Sequence, residues 1–417
     1  MAPRAHIIGA GLAGLSAAVR LAERGWRVGL YEAGPQAGGR CRSYFDEQLG
    51  CRIDNGNHLM LSGNRSILAY LATIGAGHSV VSPVEPGFPF VDLATGERWR
   101  LVPSRGQIPF WIANPRRRVP GTKLSDYLGF LRMLLAGPDD TVECLVGNRA
   151  TLFRRFWQPI AVGVLNTEAS AGAAALLATV LRETFVRGAA ACAPMIAAEG
   201  LSESFVDPAL AWLALRGATL FTGTRVRSLS FEDERASRIE LAGGAVALDK
   251  GDAVVVAVPP PVAATLLPGL TVPTEFRPIV NAHFRLDDAP VTGVEITGVI
   301  GGTAEWIFRR GNITSVTVSS ADTIVDEPAE TLASKLWTDV AAALGLPRDL
   351  PPARIVKEKR ATFAQTPEQV RRRAKARTQW RNIVLAGDWT NTGLPATIEG
   401  AIRSGEAAAA CLGSATG

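Results

Sequence analysis

An α/β fold is predicted by three features of this 417-residue sequence. The N-terminus reads as a strand, a glycine-rich turn, a helix and a second strand. The second half carries a long succession of strand-like apolar runs, and the end repeats strand, tight turn and helix. The chain exceeds the length at which one hydrophobic core stops growing, so two domains are expected. With 47% apolar and 20% charged residues the composition is that of a globular protein, which excludes a disordered one.

In chain order, a strand spans Ala5 to Ile8, a helix Leu12 to Arg24 and a second strand Arg27 to Tyr31, with Gly25 where a helix C-cap glycine belongs. Alternating apolar and polar residues from Val84 to Leu101, around Thr95-Gly96, predict a hairpin. From Leu124 to Ala198 the pattern turns helical, with Tyr127, Leu128, Leu131, Leu134 and Leu135 at helix spacing. Strands are predicted at Ala218 to Phe221, Val226 to Phe231, Arg238 to Leu241 and Ala253 to Val258. Four more follow at Ile279 to Leu286, Gly293 to Ile300, Trp306 to Arg309 and Ile313 to Ser319. Proline in the first turn and Gly345 beyond the end delimit a helix from Pro328 to Leu344. A last strand, Ile383 to Ala386, leads to a helix from about Ala396 to Cys411.

The net charge of +5 is mild, and much of it sits in the runs Arg116 to Arg118, Arg154-Arg155 and Arg371 to Arg373. Those runs suit either solvated surface or attraction to anionic phosphate and a membrane leaflet. No nucleic-acid recognition motif accompanies them. The five cysteines are scattered without metal-ligand spacing, so no metal is expected and a reducing, cytoplasmic compartment fits. No signal peptide is expected ahead of the first strand. Apolar runs such as Ala171 to Leu181 fall short of the ~18 residues a membrane-spanning helix needs. Peripheral contact with the inner membrane face stays open.

The strongest motif is Gly9-Ala10-Gly11-Leu12-Ala13-Gly14 between strand and helix. Gly9 permits the tight turn, Gly11 lets backbone approach a pyrophosphate, and Gly14 lets helix and strand pack closely. Leu12 and Ala13 begin a helix whose free N–H groups and positive dipole end suit a diphosphate. Glu32, with Ala33 after it, ends the second strand where a carboxylate can take ribose hydroxyls. This Rossmann-like pattern serves FAD and NAD alike. Gly38-Gly39-Arg40 follows closely, and an arginine there can reach phosphate oxygens or a flavin edge. Near the end, Gly387-Asp388 closes a strand and sets a carboxylate for a polyol hydroxyl. Pro395, Ala396, Thr397 and Ile398 then open a helix whose positive end would face the flavin pyrimidine ring. A surface turn and a plain βα unit are the competing readings of these two segments taken singly.

Those motifs, with Ile398-Glu399-Gly400-Ala401, resemble the flavin amine oxidase and phytoene desaturase superfamily over the whole chain. Within it, Asp54-Asn55-Gly56-Asn57-His58-Leu59 and Ala386-Gly387-Asp388-Trp389-Thr390 most resemble the hydroxysqualene dehydroxylase family. That resemblance implies non-covalent FAD and a hydrophobic isoprenoid substrate that loses its hydroxyl reductively. It also implies a Rossmann-like FAD-binding domain built from residues 1–83, 210–270 and 376–417. Interleaved with it would be a substrate domain from 84–209, with a helical cap, and 271–375, with a mixed sheet and a helix. In such proteins Val226 would meet the adenine through its backbone, and Asn55 and Gly56 would press on the isoalloxazine face. The turn Asp54 to His58 is then where flavin and substrate meet, with Asp54, Asn57 and His58 as candidate catalytic residues. His58 suits a proton donor near N5, against the competing reading of a packed structural histidine. His6, His78 and His283 carry no motif.

The same cofactor motifs leave open a carotenoid-type desaturase, a flavin amine oxidase and a flavin-binding scaffold without chemistry. No cysteine lies near Asp388 to Gly393 for a covalent flavin link, and no paired aromatic cage for an amine is recognisable. The apolar stretch from Leu124 to Ala198 suits a hydrocarbon tunnel as well as it suits an ordinary helical core.

Overall fold

The computed structural model describes residues 3–106, 109–148 and 150–413. Its first layer is a five-stranded parallel sheet ordered Thr219–Phe221, Arg27–Tyr31, Arg4–Ile8, Ala253–Val256 and Ile383–Leu385. Strands from three distant parts of the chain therefore lie side by side. Val254, Val255 and Val256 are fully buried, as a continuous apolar run in a sheet covered on both faces must be. On one face lie the opening helix Leu12–Glu23 and the closing helix Ile398–Leu412. They approach so closely that a Cβ on Gly405 would strike the Ala13 carbonyl. The other face is covered by a meander of Val226–Glu232, Arg235–Leu241 and Gly244–Ala247, whose Leu229 and Ile239 pack with Ile8, Tyr31 and Val256.

The second layer is a seven-stranded mixed sheet. It runs Ala353–Phe363, Phe276–Arg285, Ile313–Val318, Trp306–Gly311, Val291–Ile300, Phe88–Asp92 and Arg98–Leu101. All neighbours are antiparallel except Val291–Ile300 with Phe88–Asp92. One face packs Val280, Phe284 and Val316 against Leu332, Leu336 and Trp337 of the helix Ala329–Leu344. Strand alternation turns Trp306, Phe308, Arg310, Ser315, Thr317 and Asn281 to the opposite face, toward the turn at Asp54.

One strand escaped the sequence pattern and two expectations need correction. The strand Ala353–Phe363 lies in a stretch whose charged centre, Lys357-Glu358-Lys359-Arg360, hides its strand character. It sits at the sheet edge, where such charges deter unwanted pairing. Within the helical stretch, Pro194–Ala197 is a strand paired with Met60–Leu61 and Val80–Val81, because a short apolar run carries no distinguishing period. The expected break at residue 209 falls inside the helix Asp207–Ala214, whose Ala209 and Leu213 join the core around the opening helix. Among the described residues no helix is long and apolar enough to cross a membrane.

Candidate functional site

The glycine loop makes the tight turn and the close helix–strand packing that its spacing predicts. Gly9 adopts φ +100°, and its N–H donates to the Tyr31 carbonyl at 2.8 Å. A Cβ on Gly9 would strike the Ala257 carbonyl, and one on Gly14 the Gly9 carbonyl, so both positions require glycine for packing. Gly11 differs: a Cβ there would meet nothing within 4 Å. The backbone at Gly11 faces open space at the N-terminus of the opening helix, which is the room a diphosphate needs. Leu12 and Ala13 are buried, so only their backbone can serve a ligand.

Glu32 stands beside this turn. Its Oε2 accepts from the Ala10 N–H at 2.9 Å and its Oε1 from the Gly34 N–H at 2.8 Å. Ala33 is exposed next to it. The Thr224 N–H donates to the Glu32 carbonyl and the Gly223 N–H to the Gly34 carbonyl, both at 2.8 Å. Those bonds bring the loop leading to Val226 next to Glu32, where an adenosine would lie. The Gly38 N–H donates to the Ala10 carbonyl at 2.8 Å, with φ of +103° at Gly38 and +58° at Gly39. The chain thus doubles back over the loop and delivers Arg40.

Arg40 ties the first glycine segment to the last. One guanidinium nitrogen donates to Asp388 Oδ1 at 2.8 Å and another to the Ala361 carbonyl. Asp388 holds the guanidinium pKa above its ordinary value, so the cation is permanent. The Gly387 N–H donates to Ser404 Oγ at 2.8 Å, locking the turn onto the closing helix. That helix starts at Ile398, two residues later than expected, because Thr397 caps it through the Gly400 N–H at 3.1 Å. The Ala396 N–H, just after Pro395, is taken by Gln365 Oε1 at 2.8 Å.

The turn at Asp54 is built differently. Asp54 Oδ1 accepts from Ser43 Oγ at 2.6 Å and from the Leu201 N–H at 2.9 Å, and Oδ2 pairs with Arg310 at 3.2 Å. Both oxygens are committed, so Asp54 anchors the turn. Asn55 is buried, its N–H donating to the Arg42 carbonyl at 2.9 Å. A Cβ on Gly56 would come within 3.2 Å of Asn281 Nδ2, so the turn lies flat against the second sheet. Asn57 Nδ2 donates to Thr317 Oγ1 at 3.1 Å, which donates onward to Asn281 Oδ1 at 2.8 Å. Asn57 therefore also positions the turn. His58 borders a cavity of about 30 Å³ lined by Asp54, Asn57, Ile196, Phe308 and Arg310 among others. Burial pushes the His58 imidazole down to about 4, with Asp54 opposing and Arg40 reinforcing the fall. Burial therefore favours the uncharged ring at neutral pH.

Two groups without any sequence signal lie on the elements that frame the site. Arg373, placed by sequence in a surface basic run, is buried and donates to the carbonyls of Asp388, Trp389 and Thr390. It braces the closing turn, and burial lowers its pKa to about 10. Glu305, at the entry to the strand Trp306–Gly311, accepts from the Ser319 N–H at 2.8 Å. Burial, with repulsion from Glu168, pushes its carboxyl up to about 8. The next residue on from Ser319, Ser320, donates its N–H to Asn166 Oδ1 at 2.6 Å. Gln365, which holds Ala396, donates to the Leu165 carbonyl at 2.6 Å, at the end of the helix Gln158–Leu165 that Asn166 caps. Bonds through Ser319, Ser320, Asn166 and Gln365 thus link the segment that holds Glu305 to Ala396.

Residues 12–413 match the family model for flavin containing amine oxidoreductases. The chain belongs to that family. It is 47% identical to hydroxysqualene dehydroxylase of Rhodopseudomonas palustris, 98% of each chain aligned, and 46% identical to that of Zymomonas mobilis, 97% of each aligned. A probable zeta-carotene desaturase of Synechococcus elongatus is 24% identical over 98% of each chain. Among solved structures, a putrescine oxidase redesigned at its cofactor site aligns over 98% of each chain at TM-score 0.73 and 16% identity. Cyclohexylamine oxidase from Brevibacterium oxydans aligns over 99% of each at TM-score 0.70 and 14% identity, which shows the shared fold. As a flavin oxidoreductase the chain has a cradle that fits FAD: open space at Gly11, a carboxylate at Glu32 and a fixed cation at Arg40 over Asp388. Cys41, the cysteine next to Arg40, is buried, and burial raises its thiol pKa well above the usual range, which opposes thiolate attack on a cofactor.

Proposed function

We propose that the chain removes the hydroxyl of hydroxysqualene reductively, giving squalene and water. The observation carrying this reading is the 47% identity to hydroxysqualene dehydroxylase along 98% of the chain, with the cofactor cradle intact. Gly9 to Gly14, Glu32, Gly38 to Arg40 and Asp388 would hold FAD, and the turn Asn55-Gly56 would bound the ring. Reduced FAD, when bound, supplies a hydride equivalent to carbon. The protein must supply a proton to the departing hydroxyl and keep water from the allylic cation it leaves behind. The neutral His58 can donate a hydrogen bond to the hydroxyl. Glu305, whose carboxyl burial pushes up to about 8, is a second candidate for that proton. The aromatic core of Trp111, Phe130, Phe156 and Trp157 would supply a water-poor wall to a substrate bound in that region.

Anaerobic mixing of the reduced enzyme with hydroxysqualene tests the reading. Squalene should form with one flavin oxidised per turnover. Flavin that stays reduced, with no squalene, would sink the assignment. Similarity to a zeta-carotene desaturase favours one second reading, hydride removal from a polyene. Bleaching of oxidised flavin by phytoene-type substrates would establish that direction instead. An isoprenoid of this kind partitions into bilayers, so contact with a membrane surface follows as the finer expectation.

A further inference from the structure

The helical segment 124–134 is apolar on both sides. Its inner side sets Tyr127, Phe130 and Met133 against Trp111, Phe156 and Trp157. The Tyr127 ring meets Trp111 edge-on at 5.5 Å, and Phe130 meets Trp157 at 4.5 Å. The outer side carries Leu124, Leu128, Leu131 and Leu135, a spacing of four, three and four residues that keeps all four on one stripe. They are 53%, 60%, 63% and 84% exposed. Phe110, beside Trp111, is 67% exposed as well. A helix apolar all round is normally buried, and a contiguous exposed leucine stripe marks a surface that meets another apolar phase.

Charge surrounds the stripe. Arg116, Arg117, Lys123 and Arg132 are exposed, and among the described residues none has a carboxylate within ion-pair distance. The Val119 N–H donates to the Tyr127 hydroxyl at 3.0 Å, which fixes the run Arg116 to Arg118 next to the helix. The one carboxylate within the segment, Asp126, folds back onto the Lys123 N–H at 2.8 Å. The other two basic runs are largely spent on partners within the chain. Arg154 and Arg155 pair with Asp92, Arg371 pairs with Asp139, and Arg373 is buried on backbone carbonyls. Unneutralised cations around exposed leucines complement a bilayer with anionic headgroups. A second copy fits worse, since a two-fold contact through this stripe would bring the same arginines face to face.

We propose that the outer side of residues 124–135, with Arg116, Arg117, Lys123 and Arg132, docks flat on an anionic lipid surface. The surface deepens the proposed function by naming where a lipid-dissolved substrate is met. For its purpose it rests on that reading; its geometry does not.

Flotation of the FAD-loaded protein with vesicles tests it without any substrate, so its failure and that of the dehydroxylation reading are separable. The protein should float with vesicles of phosphatidylcholine and phosphatidylglycerol and far less with phosphatidylcholine alone. Leu128→Ser with Leu131→Ser should lower the bound fraction by about tenfold while keeping bound FAD and turnover on detergent-dispersed substrate. Arg116→Ser with Arg117→Ser, a second pair that leaves the leucines in place, should lower binding by roughly tenfold, as should high salt. Unmodified protein that stays with the lipid-free fraction would overturn the proposal. So would flotation of both double variants equal to that of the unmodified protein. A concentration-dependent dimer in sedimentation, lost in the leucine pair, would give the face to a second copy and overturn it too.

Discussion

The glycine cradle at Gly9 to Gly14 and the turn at Asp54 to His58 lie on the same proposed cofactor, yet they are built on opposite terms. In the cradle, packing uses Gly9 and Gly14 while Gly11 faces open space. At the turn, Asp54 and Asn57 spend their polar atoms on Ser43, Leu201, Arg310 and Thr317. The first region leaves open space at Gly11, and the second is satisfied within the protein. A polar residue beside a site is therefore not a reacting group by proximity alone. What matters is whether its hydrogen-bonding capacity is still free.

Substitutions can break this comparison, and the largest effect belongs to the cradle. Gly14→Val drives a side chain into the Gly9 carbonyl and should cost about 3 kcal/mol of stability or more, with loss of bound FAD, read by thermal unfolding and flavin absorbance. Gly11→Val, with nothing to strike, should fold normally and lose FAD affinity alone. Equal unfolding temperatures for the two variants would erase the distinction between packing and ligand glycines.

At the turn, Asp54→Asn strips Arg310 of its carboxylate. Arg310 keeps a quarter of its side chain in solvent, so a loss of about 2 kcal/mol is expected, below the cost at a fully buried pair. Thermal unfolding should fall while the rate per bound flavin stays close to the original. A collapse in that rate with unchanged stability would return Asp54 to catalysis.

Glu305→Gln should retain FAD and lower turnover by about 100-fold, the lower range for losing a general acid. The raised Glu305 pKa makes wild-type turnover fall as pH rises through about 8, and the Gln variant should lack that limb. The stability sign is also fixed. Between the ordinary value of 4.5 and about 8 the folded carboxyl holds a proton that the unfolded one has lost, so stability falls with rising pH across that window. The Gln variant should not show that fall. A smaller effect, several-fold in turnover, is expected for His58→Gln, since a neutral hydrogen-bond donor replaces another. Its pH profile should be unchanged near neutrality, and loss of a limb between pH 6 and 7 would make His58 the titrating acid.

Local segments were legible because their signals are local. The strand and turn at Gly9, the helix after it, Glu32, Arg40 and Asp388 all follow from short-range spacing and backbone demands. Arg373 shows the opposite case: its neighbours Arg371 and Arg372 imply solvent, and only the fold buries it against the carbonyls of Asp388 to Thr390. Glu305 has no motif, because its chemistry comes from burial and from Glu168 across the chain. Ala353–Phe363 was masked by charges that an edge strand tolerates.

By itself, then, the amino-acid order determined the fold class, the cofactor cradle and the family, each written in residues that need glycine's freedom or a fixed charge at a set distance along the chain. Tertiary structure alone decided which acids and arginines remain free to act. That outcome depends on desolvation and on partners such as Arg310 for Asp54 and Ser319 for Glu305, and those partners are brought together across sequence gaps that no spacing rule records.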